Sequence, residues 1–392
     1  MKVAARAHVP PFAVMEILAA ANARKAAGEH VLNLCAGEPS TGASEVVRQR
    51  AIDLLTAGDL GYTESMGAPP MRAAIAQHYR DWYSVDVDPR RVAVTTGSSG
   101  GFLLAFLAAF DVGDRVALAV PGYPAYANIL SALGCDVVVV PCGPETRYQP
   151  TVAQLEALDP PVEGLVIASP ANPTGTMIDA AELAAIAGWC GDHGVRLVSD
   201  EIYHGITYGS EATATAAHYL DRGAVVVNSF SKYWAMTGWR LGWLVLPQDL
   251  VAPVGALAGN VALCPPALAQ HAGVAAFSPE GYAAARANVE RYAAARELLL
   301  ARLPELGWSR IAPADGAFYL YADVSASGLD SITWCARLLD EAGVALTPGT
   351  DFDPVDGHRW VRLSFASSVD VVREAVDRII AWQRNLQAPA AS

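Results

Sequence analysis

The sequence predicts an α/β protein, with a mainly parallel seven-stranded sheet forming a large domain and a smaller α+β domain beside it. Three observations carry that prediction. Between about residues 45 and 275, seven apolar runs of four to six residues alternate with helical patterns. Runs that are apolar throughout belong to strands covered on both faces. Beyond about residue 275 the alternation gives way to longer helical stretches around a few strand-like ones. The chain is also long enough, at 392 residues with 53% hydrophobic, to fill two cores. These shifts place the large domain at 46–275 and the small one at 1–45 together with 276–392.

The elements follow in order. A helix is expected from about Phe12 to Lys25. Strands are expected at Arg91–Thr96, Arg115–Val120, Cys135–Val140, Gly164–Ala168, Val195–Ser199, Ala224–Asn228 and Leu241–Leu246. The first is followed by the turn Gly97-Ser98-Ser99-Gly100-Gly101 and a helix from Phe102 to Phe110; the second is closed by Pro121-Gly122-Tyr123-Pro124. Ser278 with Pro279 marks a helix start, the serine capping and the proline at the first position. That helix would reach about Arg302. The remainder reads as a strand at Gly316–Ala322, a helix at Ile332–Ala342, a turn at Pro348-Gly349, a strand at Trp360–Phe365 and a helix at Val369–Gln387, ending in a frayed Ala/Pro tail.

Composition narrows the function classes. A formal net charge of −13 argues against nucleic acid or an anionic membrane as the main partner. No run approaches the roughly 20 apolar residues of a membrane helix. Pro10-Pro11 and Glu16 break the apolar core a signal peptide would need. The six cysteines form no C-x-x-C pair, which fits reduced thiols in a cytoplasmic protein. The eight histidines are scattered and no H-E-x-x-H occurs, so no metal site is expected.

The chemistry concentrates around Lys232, in Ser229-Phe230-Ser231-Lys232 with Arg240 eight residues on. A lysine forms a Schiff base with an aldehyde when its surroundings lower its proton affinity. The flanking hydroxyls and a guanidinium suit a phosphate. An aldehyde and a phosphate on one small molecule describe pyridoxal 5'-phosphate (PLP). The strand-to-helix turn carrying Ser98, Ser99 and Gly100 offers free N–H groups to the same phosphate. Asp200, after an apolar strand in Ser199-Asp200-Glu201-Ile202-Tyr203, stands where open α/β sheets bind ligands. There it would pair with a protonated pyridine nitrogen; as a bare motif it equally suits a helix cap or a surface ion pair. Asn172-Pro173-Thr174-Gly175 is either an ordinary turn or a donor to the cofactor's phenolic oxygen, with Tyr203 as a second donor. Tyr123 either packs in its turn or stacks on the ring. Arg362, inside an apolar strand, needs an anion, supplied by a structural carboxylate or by a substrate's α-carboxylate.

Taken in order, Asn-Pro-x-Gly, Asp-Glu-x-Tyr, Ser-x-Ser-Lys with Arg at +8 and a late Val-Arg-Leu-Ser resemble the fold-type I PLP-dependent aminotransferases of class I/II. The likeness runs from Ala36-Gly37-Glu38-Pro39 to about Ser367 and is nearest to the bacterial aspartate-aminotransferase-like subgroup. It implies a ping-pong Schiff-base mechanism that moves the α-amino group of an L-amino acid to a 2-oxo acid. It also implies roles. Lys232 holds the cofactor and shuttles the proton, and Asp200 pairs with the pyridine nitrogen. Asn172 and Tyr203 bond the phenolic oxygen, and Tyr123 stacks. Ser98, Ser99, Ser229 and Arg240 hold the phosphate, with Gly100 and Ser231 in the same cup. Arg362 binds the substrate carboxylate, helped by Asn172 and the Gly37 backbone. Members of the family work as homodimers with shared sites, and Tyr62 matches the tyrosine that reaches the neighbour's phosphate.

One departure matters. Relatives that prefer aspartate carry a lysine where this chain has Ser99, which counts against a dicarboxylate substrate. The helix bearing Phe12, Val14, Met15 and Ile17 would line the entrance and favour an apolar side chain. A PLP-dependent carbon–sulfur β-lyase on the same fold is the nearest alternative. A serine acyl-enzyme, suggested by S-x-x-K, lacks its K-T-G element. A non-catalytic regulator on this fold would have no use for the full lysine-to-arginine set.

Overall fold

The computed structural model describes residues 1–58, 60–209 and 213–387; the frayed tail expected after Gln387 lies outside them. Seven strands form the main sheet: β1 (Val92–Thr95), β2 (Arg115–Val120), β3 (Asp136–Pro141), β4 (Gly164–Ala168), β5 (Arg196–Asp200), β6 (Val225–Ser229) and β7 (Gly242–Val245). Their order is β1-β7-β6-β5-β4-β2-β3. All run parallel except β7, which is antiparallel to both neighbours. Apolar content alone does not reveal strand direction, so nothing in the run at 241–246 marked it.

Side chains alternate between the two faces, as the period of two requires. Leu165, Ile167, Leu197 and Val226 enter one core, while Val166, Val198, Val225 and Val227 enter the other. The central strands β6 and β7 are buried along their whole length, whereas β3, at the edge, exposes Asp136 and Pro141. A proline at the end of an edge strand leaves no ladder bond unmade.

Residues 97–101 are not the loop expected from their glycines. They form the first turn of a helix running Gly97–Ala109. A side chain at Gly101 would press within 3.2 Å of Leu244 and 3.3 Å of Val227, so glycine lets this helix lie close on the sheet.

The C-terminal part holds a second, antiparallel sheet. Its strands are β8 (Tyr319–Asp323), β9 (Thr347–Pro348) and β10 (Trp360–Ser364), in the order β9-β10-β8. Its register sets Arg362 opposite Thr347 on one side and Tyr321 on the other. The expected strand at 316 begins only at Tyr319, and the expected turn at Pro348-Gly349 is the end of β9 leading into a 3-10 turn. Helices α1 (Ala13–Ala26), α2 (Pro279–Ala301), α3 (Ser331–Ala342) and α4 (Val369–Gln387) lie close to the expected positions. Ser278 caps α2, its side chain accepting from Gly281 N at 3.1 Å. Near the N-terminus, Leu32–Asn33 pairs in parallel with Val344–Ala345, which ties the first residues to the C-terminal part.

Candidate active site

The carboxyl ends of β2, β4, β5 and β6 open toward one cleft of about 380 Å³, closed from the other side by α1 and by residues of the antiparallel sheet. The order of the main sheet reverses between β2 and β4, and such a switch point is where open α/β sheets bind ligands. Lys232, Asp200, Tyr203, Asn172, Tyr123, Ser98, Ser99, Ser231, Arg240, Gly37 and Arg362 all line it.

Asp200 ends β5 and is buried. Its Oδ1 accepts from Ile202 N at 3.0 Å and its Oδ2 accepts from the Tyr126 hydroxyl. Desolvation raises this carboxyl to about 6 against those two bonds and the nearby Lys232 charge. It is therefore neither a helix cap nor a surface ion pair. Lys232 Nζ donates to Gly37 O and lies 5.9 Å from the Tyr203 ring centroid. Desolvation, with Arg362 and Arg240 adding positive potential, lowers its pKa to about 8, which leaves an appreciable fraction of free amine near neutrality. Tyr203 shares a 2.6 Å hydrogen bond with the hydroxyl of Tyr319.

Arg362 is 3% exposed and finds no carboxylate within salt-bridge distance among the described residues. Its Nη1 donates to Asn172 Oδ1 at 2.8 Å, and its Nη2 donates to Cys35 O at 2.6 Å. The rings of Tyr319 and Phe352 each lie 4.5 Å from the guanidinium carbon. Its Nε is buried without a partner. A buried cation held only by neutral groups, with a donor to spare, is poised for an incoming anion.

A second cationic end is formed by Arg240. It is exposed to the cleft and bonds only Thr237 O, at 2.9 Å, among the described residues. A side chain at Gly97 would sit 2.4 Å from Arg240 Nη2, and one at Gly242 would sit 2.9 Å from Ser98 N. Backbone, guanidinium and the amino end of the 97–109 helix thus converge because two glycines leave the space, and such a cradle attracts phosphate.

Three expected residues stand elsewhere. Gly100 faces Thr96 rather than the cleft. Ser229 is fully buried, with its Oγ 2.8 Å from Ser231 Oγ and 3.0 Å from Leu241 O, so it stands one hydrogen bond behind the lining. That burial also removes it as an acyl-enzyme nucleophile. Tyr62 is 86% exposed and does not line this chain's cleft. On α1, Val14, Met15 and Leu18 line the cleft; Ile17 turns instead toward Val31, Cys35 and Leu339, and Phe12 stacks on Tyr123. Sequence reasoning missed Tyr126 and Tyr319. The first lay two residues past the Pro121–Pro124 turn, with spacing Tyr123-x-x-Tyr126 as its only signal.

A family model described as aminotransferase class I and II matches residues 29–379. The chain belongs to this family. It is 54% identical over 381 residues to valine–pyruvate aminotransferase of Mycobacterium tuberculosis, covering 97% of this chain and 98% of that protein. It is 33% identical to aspartate aminotransferase of Geobacillus stearothermophilus, covering 97% and 98%. A crystal structure of an aminotransferase from M. tuberculosis superposes with a TM-score of 0.96 at 54% identity, covering 98% of this chain and all of that one. The aminotransferase is PLP-dependent and moves an amino group from an amino acid to a 2-oxo acid. Nothing in these likenesses favours the carbon–sulfur lyase. The residues present also fit the cofactor: an amine of lowered pKa, a buried acid and a glycine-lined cationic cradle meet in one cleft.

Proposed function

We propose that this aminotransferase takes a neutral aliphatic amino donor of about valine's size and passes its amino group to pyruvate. One observation carries the donor class. Among the described residues the cleft is lined by three cations, Lys232, Arg240 and Arg362, and by the carboxylates of Glu38 and Asp200. With Lys232 committed to the aldehyde, Arg240 to the phosphate and Arg362 to the α-carboxylate, none is left for a second substrate carboxylate. Val14, Met15 and Leu18 offer an apolar wall instead. The valine–pyruvate activity of the 54% identical relative supports the same reading.

PLP, when bound, supplies an aldehyde carbon to carry the amino group and a protonated ring that withdraws electrons from the substrate's α-carbon. The protein's residues do the rest. Arg362 would fix the substrate carboxylate and so aim the α-hydrogen at Lys232 Nζ, which is placed to take that proton and give it back. Asp200 would hold a proton on the ring nitrogen, its carboxylate kept in place by Tyr126. Asn172 spends its Oδ1 on Arg362, so its amide hydrogens, with the Tyr203 hydroxyl, would be the donors to the phenolic oxygen. Arg240, Ser98, Ser99 and Ser231 would hold the phosphate, with Ser229 orienting Ser231. Tyr123, packed edge-on against Tyr126, would flank the ring.

The reading extends to a cytoplasmic homodimer. Ile52, Leu55 and Leu60 are exposed on the stretch leading to Tyr62, an apolar face suited to a second copy that would receive the tyrosine. All six cysteines are free, and among the described residues no helix is long and apolar enough to cross a membrane. The division into 46–275 against 1–45 with 276–392 belongs to the same proposal, supported by the pairing of Leu32–Asn33 with Val344–Ala345.

A donor screen tests the substrate. Half-reactions followed by cofactor absorbance should run with L-valine, whereas aspartate and glutamate should fall at least about a hundredfold in kcat/KM, the cost of burying an unpaired carboxylate. Aspartate turnover equal to that of valine would overturn the assignment.

A further inference from the structure

We propose that Asp351 is a specificity-positioning residue: it reaches from the end of the antiparallel sheet to dock the amino end of α1, fixing the apolar wall that faces the donor's side chain. The proposal rests on the reading that this side chain is neutral and meets that wall.

Helix α1 begins without a cap of its own. Phe12 stands at its N-cap position and makes no side-chain capping bond. The missing acceptor comes from 338 residues away, as Ala13 N donates to Asp351 Oδ1 at 2.9 Å. Asp351 closes the 3-10 turn Gly349–Asp351 that follows β9. No cation lies within salt-bridge distance of it among the described residues, and its Oδ2 is buried with no hydrogen-bond partner. An acid serving only the stability of its own turn would be exposed or paired. This one is held by the free N–H groups and positive end of a helix from another part of the chain.

The placement links two substrate contacts. Phe352, the next residue, covers the Arg362 guanidinium, while the capped helix carries Val14, Met15 and Leu18 to the cleft. The far end of α1 is anchored separately, by Arg24 to Leu339 O at 3.1 Å and to Asp340. Removing the Asp351 carboxylate would leave that anchor in place and loosen only the end bearing the wall.

The test compares wild-type holoenzyme with Asp351→Ala and Asp351→Asn. In Asp351→Ala, amide hydrogen exchange over residues 13–18 should quicken about fivefold, the loss of one cap. The ratio of kcat/KM for L-valine to that for L-alanine should fall by a similar factor through KM, with kcat for alanine and the cofactor spectrum unchanged. Asp351→Asn keeps an acceptor oxygen and should restore both. Unchanged exchange overturns the docking. Faster exchange with an unchanged valine-to-alanine ratio overturns the role in specificity. A wild-type enzyme indifferent between valine and alanine overturns the wall's part in selection, and the exchange rates then show separately whether the docking contact exists.

Discussion

Replacing Arg362 by methionine separates substrate binding from stability. The guanidinium is buried between Tyr319 and Phe352 and donates to Asn172 Oδ1 and Cys35 O, with no carboxylate partner among the described residues. Its removal deprives the substrate's carboxylate of a desolvated, charge-assisted partner. Breaking one side of a buried ionic contact costs about 3–5 kcal/mol, or roughly 10²- to 10⁴-fold in kcat/KM. On the proposed role both half-reactions would use the same arginine, because donor and acceptor each bring an α-carboxylate, so the loss should be equal for amino acid and 2-oxo acid. Cofactor binding should not change, since the phosphate is proposed to sit at Arg240, which lines the cleft as a separate cation. Stability should hold as well. Methionine forfeits three hydrogen bonds, to Asn172 Oδ1, Cys35 O and Thr347 Oγ1, but also relieves the desolvation of an unpaired cation, so the melting temperature should move only a few degrees. The assay is steady-state kinetics for each substrate, with the cofactor spectrum and thermal unfolding alongside. A loss below about tenfold, or one confined to a single half-reaction, would refute the assignment of Arg362 as the common carboxylate site.

Lys232→Ala should keep the cofactor bound without a covalent link and lose about 10³-fold or more of amino-group transfer, the contribution of a positioned general base; single-turnover absorbance after adding amino acid measures it, and transfer above about a hundredth of wild type would count against the lysine. Tyr126→Phe should move the acidic limb of kcat upward by about one to two pH units, because a hydrogen bond to a charged acceptor is worth about 1.5–3 kcal/mol and Asp200 must be ionised to hold the ring proton. The sign for the cofactor-free protein follows from the same carboxyl. Asp200 already titrates near 6, above its ordinary range, so its contribution is fully present below the unfolded carboxyl's pKa and is lost as pH rises through the folded one. Removing the hydroxyl raises the folded pKa further and extends that loss to higher pH, which urea unfolding of the cofactor-free variant at several pH values would show as a steeper decline above pH 6.

What could be read from the sequence shares one physical trait: the chemistry sits in a short segment whose local fold presents it. A strand end followed by a turn exposes whatever comes next, and this is how Asp200, Asn172 and Tyr123 reach the cleft. Lys232 announced itself through its hydroxyls and Arg240, and Arg362 through its isolation in an apolar strand. What stayed hidden depends on contacts between distant segments. Tyr126 is an ordinary helix residue until the sheet brings β5 beside β4 and sets its hydroxyl on Asp200, 74 residues on. Tyr319 reads as a strand aromatic, yet its hydroxyl occupies the space beside Gly37, where a side chain would come within 1.9 Å of it. That near-overlap gives the glycine of Ala36-Gly37-Glu38-Pro39 a steric reason as well as a role for its carbonyl. The direction of β7 and the helical conformation of 97–101 were missed for a related reason. Strand polarity depends on which neighbours bind it, and glycines that suggest a loop here admit a helix to within van der Waals contact of Val227 and Leu244. Local sequence therefore singled out the groups that meet in the cleft, while the packing that tunes and aims them arose between segments too far apart for any motif to connect.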